Sequence, residues 1–300
     1  MDAITIPKKA LILADIEGII GVHQKAQCTP GRQEWKAARH LLTEDINAAA
    51  RGLLAAGFDS LIVCDMHGTG FNLLPEKLIP EARCDQGHRW HPVPLIGTMP
   101  EADCAVMVGW HAAPDQKGFS PHIFQKTLRK LCINGSPITE VELFSAVLGE
   151  HGIPVPFVSA EAVACDRIEG HMPWIHRLNV PKRPLADAEI TALRHQLTEK
   201  IKTATARNGA PPLVWNTHEV TATFPDGTRT WTSPSATTTF RRLLADTALG
   251  FAPDAAIPFL LFLLRNRCRM EEWTRKKQKH ASGGPAGADN PLKSSTNRFF

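Results

Sequence analysis

The chain has 300 residues, 43% hydrophobic and 21% charged, the make-up of a soluble globular protein with one large or two modest domains. Its formal charge of +4 is localised: residues 265–300 hold nine Lys/Arg and three Asp/Glu, which leaves residues 1–264 at −2. The body thus carries no basic footprint for nucleic acid. The longest apolar run, Ala255 to Leu264, contains Pro258 and is too short to span a bilayer, so no membrane partner is expected either.

Lys8 and Lys9 lead into an apolar run that acids interrupt at 15 and 17, a pattern unlike a secretion signal. The seven cysteines (28, 64, 84, 104, 132, 165 and 268) are odd in number and contain no C-x-x-C pair. Reduced thiols in the cytoplasm are therefore expected, in place of a disulfide framework or zinc knuckle.

In chain order, Leu11 to Ala14 reads as a buried strand that stops at Asp15-Ile16-Glu17-Gly18. Residues two apart share a strand face, so Asp15 and Glu17 can converge on one point. Residues 19–33 read as a loop, and Glu34 to Leu54 as a helix with Gly57 past its end. A second strand, Ser60 to Cys64, stops at Asp65-Met66-His67-Gly68, and 75–83 forms a short turn or helix. A third, Cys104 to Gly109, stops at Trp110-His111.

Strands and helices alternating at this spacing predict an α/β fold, a parallel sheet covered on both faces in a Rossmann-like core. Ligands of such sheets bind outside the strand carboxyl ends. Three successive strands here end in Asp/Glu, Asp/His and His.

Gly118 to His122 reads as a loop, and residues from Ile123 onward as a hairpin region turning at Asn134-Gly135. Glu140 to Gly149 is a helix with Thr139 in a cap position, and Val155 to Ser159 a fourth strand. Residues 173–184 form a crossover into a helix from Ala186 to Ala206, ended by Pro211-Pro212. Val214 to Phe224 and Thr230 to Thr232 pair around Asp226-Gly227, Thr237 to Phe240 is extended, and Ala255 to Trp273 is a last helix. The basic, then Gly/Ser/Asn/Pro-rich residues 274–300 read as a disordered tail. The expected organisation is a catalytic α/β domain at 1–170, a smaller α+β region at 171–273 and the tail at 274–300.

Asp15, Glu17, His67, His111 and one further acid make a mixed oxygen and nitrogen donor set suited to Zn²⁺ or a similar first-row ion. Five ligands exceed what one catalytic zinc keeps and fit two metals sharing a carboxylate, a pair that polarises a carbonyl and supplies hydroxide near neutral pH. Asp65 either orients His67 or holds the strand-end turn.

Several segments resemble the M55 metallopeptidases, D-aminopeptidases of the DppA type. They are Asp15-Ile16-Glu17-Gly18, Asp65-Met66-His67, Leu74 to Ala82, Gly109-Trp110-His111-Ala112, the loop around His122, and Ile133 to Glu140. The resemblance covers about the first 170 residues, with Thr237 to Phe240 suggestive beyond. It implies that Asp15, Glu17, His67, His111 and Glu140 hold two Zn²⁺ per subunit, with Asp15 bridging. His122 matches the family's catalytic histidine, described there as a nucleophile; on physical grounds it suits a general base or oxyanion stabiliser. The implied activity is release of the N-terminal residue from short peptides containing D-amino acids, by a ring-like homodecamer.

Three departures bear on substrate and assembly: Thr139 stands where the family has Gly, Ser120-Pro121-His122-Ile123-Phe124 is bulkier than the family's loop, and Ala164-Cys165-Asp166 holds one acid where the family has two. Two alternatives therefore stand beside the aminopeptidase: a related amide hydrolase acting on a specialised metabolite, and a non-catalytic, metal-stabilised homologue.

Overall fold

A computed structural model describes residues 8–68, 70–84, 99–206 and 209–249, all within the first of two units into which the chain divides, Met1–Phe251. The elements run β1 (Lys9–Ala14), α1 (Gln33–Ala55), β2 (Ser60–Asp65), β3 (Ala82–Cys84), β4 (Cys104–Trp110), β5 (Lys130–Ile133), β6 (Ser136–Pro137) and α2 (Glu140–Gly149). They continue with β7 (Phe157–Ala160), α3 (Ala162–His171), β8 (His176–Asn179), α4 (Asp187–Ala206), β9 (His218–Phe224), β10 (Gly227–Ser233) and α5 (Ala236–Leu249).

Six strands form a parallel sheet in the order β3-β2-β1-β4-β7-β8. Successive residues of β1 alternate between two cores. Leu11 and Leu13 pack with Val141, Val147 and Ile168 of α2 and α3. Ala10, Ile12 and Ala14 pack with Leu42, Ile46, Leu197 and Ile201 of α1 and α4. Both faces are dry, which is why β1 after Lys9 and all of β4 are apolar instead of alternating.

The chain steps outward from β1 to β2 and β3, then returns to the other side of β1 for β4. That reversal opens a crevice at the carboxyl ends of β1 and β4, where parallel sheets bind ligands. A second, antiparallel sheet runs β10-β9-β5-β6. Its β5–β6 turn is Asn134-Gly135, at φ 49° and 79°, the left-handed pair a tight hairpin requires.

The structure departs from the sequence expectations in several places. Thr237 to Phe240 is not extended: it forms the first turn of α5. Three threonines favour a strand on propensity, but the Glu150 carboxylate accepts the N–H groups of Ala236 and Thr237, and the Ser235 hydroxyl accepts that of Thr238. Phe240 is fully buried as a result. Pro75–Lys77 forms a short helical turn as expected at 75–83, but an edge strand, β3, begins at the end of that stretch. Another, β8, lies within the expected crossover (173–184), and α3 follows the fourth strand directly. In the hairpin region only Lys130–Ile133 and Ser136–Pro137 are strands, and β9 starts at His218.

The boundary expected at residue 170 falls within the last turn of α3, and β8 beyond it pairs with β7 in the main sheet. The expected helix at 255–273 and tail at 274–300 lie outside the described residues. Among the described residues no helix is long and apolar enough to cross a membrane.

Candidate metal centre

Two glycines bring the ends of β1 and β4 together. Gly109 adopts φ 86°, and a Cβ there would lie 2.0 Å from the Asp15 carbonyl oxygen. Across the same contact the Gly18 N–H donates to the Gly109 carbonyl at 2.7 Å, and a Cβ on Gly18 would lie 1.9 Å from the Trp110 oxygen. Only glycine permits this approach, which shifts the β4–β7 register between Val108 and Trp110.

Asp15 and Glu17 from the β1 end, His67 from the β2 end, His111 from the β4 end, His122 from the following loop and Glu140 from the first turn of α2 all meet there. His67 Nδ1 lies 3.1 Å from Asp15 Oδ1 and 3.4 Å from Glu17 Oε2. His111 Nε2 lies 3.3 Å from Asp15 Oδ2, 3.5 Å from Glu17 Oε2 and 3.4 Å from Glu140 Oε2. His122 Nε2 is 3.6 Å from Glu17 Oε2, and its ring stacks on His111 with centroids 4.3 Å apart. Three sets of donor atoms lie within 4.8 Å of one another: Asp15, Glu17 and His67; Asp15, His111 and Glu140; Glu17, His111 and His122.

Each imidazole is oriented by a backbone carbonyl behind it. His67 Nε2–H donates to Cys28 O at 3.0 Å, His111 Nδ1–H to Ala112 O at 3.0 Å, and His122 Nδ1–H to Ser120 O at 2.9 Å. A carbonyl only accepts, so the nitrogen facing it carries a proton and the opposite nitrogen is the one turned toward the acids. Asp65 serves the turn: its carboxylate accepts the N–H groups of His67, Asn72 and Leu73, without touching the His67 ring.

The acids are aimed in the same way. Glu17 Oε1 accepts the Ser120 hydroxyl at 2.6 Å, and Glu140 Oε1 accepts the Phe124 N–H at 2.5 Å. Asp15 Oδ2 and Glu17 Oε2 are buried and have no hydrogen-bond partner among the described residues. Burial alone would push the Glu17 carboxyl up, but the charges of His122, His111 and His67 hold it well below the usual carboxylate range. Burial opposes the charge on His111, yet Glu17, Glu140 and Asp15 raise it to about 10. The cluster therefore demands positive charge. Without a cation the imidazoles supply that charge by holding protons; with zinc bound, the same nitrogens, deprotonated, would join the carboxylates in a donor set that zinc accepts. The residues fit a metal site.

A sequence profile of the peptidase M55 family, described as D-aminopeptidase, matches residues 8–226. This chain belongs to the M55 peptidase family. A D-aminopeptidase of Bacillus subtilis (strain 168) is 27% identical over 166 residues, 55% of this chain and 60% of that relative. The chain thus aligns with less than two thirds of that relative's length. A solved structure described as "Zn-dependent D-aminopeptidase DppA from Bacillus subtilis, a self-compartmentalizing protease" superposes with a TM-score of 0.70 at 22% identity, covering 80% of this chain and 97% of that one. The two chains share a fold.

Beyond the residues expected from sequence, this M55 site uses several others. Ser120 selects which oxygen Glu17 turns inward. Phe124, at φ 56°, is the strained residue whose N–H holds Glu140. Glu161 at the end of β7 accepts the N–H of Ala112 at 2.8 Å and of Phe119 at 2.9 Å. The polar stop after a buried strand, already the mark of Asp15 and His111, also marks Glu161 and could have found it. Lys182 donates to the carbonyls of Glu17, Ile19 and Val22 at 2.9, 3.1 and 3.2 Å; burial pulls its ammonium down to about 8.

Proposed function

We propose that this chain is a zinc-dependent aminopeptidase that releases the N-terminal residue of short peptides, D-residues in particular. The observation that carries the reading is the pair of orphaned oxygens, Asp15 Oδ2 and Glu17 Oε2, facing three imidazoles whose other nitrogens are tied to the backbone. Family membership and the zinc-dependent D-aminopeptidase sharing its fold support the activity.

In this reading Asp15, Glu17 and His67 would hold one zinc, and Asp15, His111 and Glu140 a second. When bound, such a pair polarises the scissile carbonyl and lowers the pKa of water. The outer oxygens of Glu17 and Glu140 stay on Ser120 and Phe124, so neither carboxylate can rotate away. His122, with its proton on Nδ1 held by Ser120 O, presents a bare Nε2 to the centre. That nitrogen takes a proton from the attacking water and returns it to the leaving amine, the role of a general base and then acid. Cytoplasmic location accords with the free thiols of Cys28, Cys104, Cys132 and Cys165, and a ring-like homo-oligomer with the self-compartmentalizing relative.

The deciding experiment is amino-acid release from matched D- and L-dipeptides, with zinc content measured on wild type and Asp15→Ala. Release that favours D-residues, with about two zinc per chain and both lost in Asp15→Ala, is the expected result. A metal-loaded protein that cleaves no dipeptide would move the chemistry to another amide; a protein that binds no zinc would overturn the site.

A further inference from the structure

Two charges outside the donor cluster, the buried Glu161 and the half-buried Lys182, hold the loops on which it is built. The Glu161 carboxylate sits at the carboxyl end of β7 and divides its oxygens: Oε1 accepts the Ala112 N–H, next to His111, and Oε2 accepts the Phe119 N–H, next to Ser120. One side chain thus fixes both ends of the 112–119 loop, whose far end delivers Ser120 and His122. Room for it depends on Gly118, where a Cβ would lie 2.7 and 2.8 Å from the two carboxylate oxygens. The loop is further latched to α3: Gln116 donates to Val163 O at 2.5 Å, and Arg167 pairs with Asp115 at 2.5 and 3.1 Å.

Lys182, in the segment after β8, does the converse for the other loop. Its ammonium donates to three carbonyls of the 17–22 segment, starting with that of Glu17 itself. The Ile20 N–H in the same segment donates to Asp45 of α1 at 2.8 Å. The two anchors meet at Phe119: its N–H is on Glu161, and the Lys182 ammonium lies 5.6 Å from its ring centroid. An anion gathers amide protons of one loop, a cation gathers carbonyls of the other, and the Ser120 hydroxyl closes the gap onto Glu17.

We propose that Glu161 and Lys182 are positioning residues that clamp the Glu17 and His122 loops together and so set His122 Nε2 against the metal-binding acids. This deepens the aminopeptidase reading and, for its catalytic consequence, rests on it. Neither residue touches the donor atoms. Their effect runs through backbone placement, where a misplacement of about 1 Å can cost about a hundredfold in rate.

Glu161→Gln and Lys182→Met test the clamp, with Glu150→Gln as the control, since Glu150 also accepts backbone N–H groups but at the start of α5. Glutamine can accept only one of the two amides and turns its own NH₂ toward the other. In Glu161→Gln, kcat per bound zinc should fall about tenfold or more, with KM nearly unchanged and zinc content retained. Hydrogen exchange should speed up in 112–122, and in 17–22 for Lys182→Met. Glu150→Gln should lower Tm while leaving kcat per zinc and both exchange segments as in wild type. Unchanged exchange in either clamp variant, or faster exchange with unchanged kcat per zinc, would overturn the proposal. Should zinc-loaded wild type cleave no peptide, the aminopeptidase reading fails, and the exchange rates of the two variants alone decide the clamp.

Discussion

Ser120 and Glu17 lie 103 residues apart, and the Ser120 hydroxyl donates to Glu17 Oε1 at 2.6 Å with both groups buried. A hydroxyl on one oxygen leaves the other to face the centre. Ser120→Ala frees the carboxylate to rotate and leaves a second oxygen without a partner. Loss of such a supporting bond typically costs 10–100-fold in activity or metal affinity. The expected outcome is about a tenfold lower kcat with most of the zinc retained, checked by kinetics normalised to metal content. A rate equal to wild type would show that Glu17 needs no such guide.

The contact between β1 and β4 predicts a sharper failure. Gly109→Ala would place a methyl 2.0 Å from the Asp15 carbonyl at a φ of 86°, so backbone must move. A left-handed non-glycine residue alone costs about 1–3 kcal/mol, and the displaced segment carries Asp15. Denaturant unfolding should show a loss of more than about 2 kcal/mol, accompanied by reduced zinc binding. The same substitution at Gly135, where a Cβ would meet nothing, should cost only the conformational strain and leave zinc content untouched.

Metal removal should be visible in stability as well as in rate. A ligand held only by the folded state stabilises it by about 2.7 kcal/mol at one hundred times its Kd. Chelation should therefore lower Tm by several degrees, and Zn²⁺ should restore it. In Asp15→Ala the chelator should shift Tm little. An equal shift in that variant would place the stabilising ion elsewhere.

A pH effect should come from outside the centre. His171, at the end of α3, contacts the buried Glu142 of the α2 capping box with Nδ1 to Oε1 at 2.5 Å. The hydrogen bond to Glu142 raises the His171 pKa, against partial desolvation. A raised histidine pKa adds stability that is complete below about 6.5 and disappears as pH climbs through the folded-state value. Wild type should lose stability above neutral pH by an amount that salt screening reduces, since His171 is partly exposed. His171→Gln should reduce that slope while leaving kcat unchanged, as read from denaturant midpoints of the two proteins compared across pH 6 to 9.

The convergence of Asp15, Glu17, His67 and His111 was legible because the signal repeats. Apolar strand runs in a parallel sheet end abruptly in polar residues, and parallel strands put their carboxyl ends on one edge. Glu140 and His122 came from the family motif alone. The edge strands were not legible. Ala82-Arg83-Cys84 and His176-Arg177-Leu178-Asn179 show neither alternation nor a long apolar run, and they are strands because β2 and β7 offer unpaired edges. The α5 start was misread because Glu150, which caps it, lies 86 residues earlier. Ser120, Phe124, Glu161 and Lys182 act on or through backbone groups of distant loops, and such partnerships leave no spacing pattern in a sequence.

That reliance on backbone has a consequence for how this site tolerates change. The carbonyls that orient His67 and His111 belong to Cys28 and Ala112, and every amino acid offers the same carbonyl. Drift at these two positions is invisible to the imidazoles so long as the chain path is kept. Substitution can thus remodel the side chains around the acid and histidine cluster while the backbone that orients those two imidazoles stays in place.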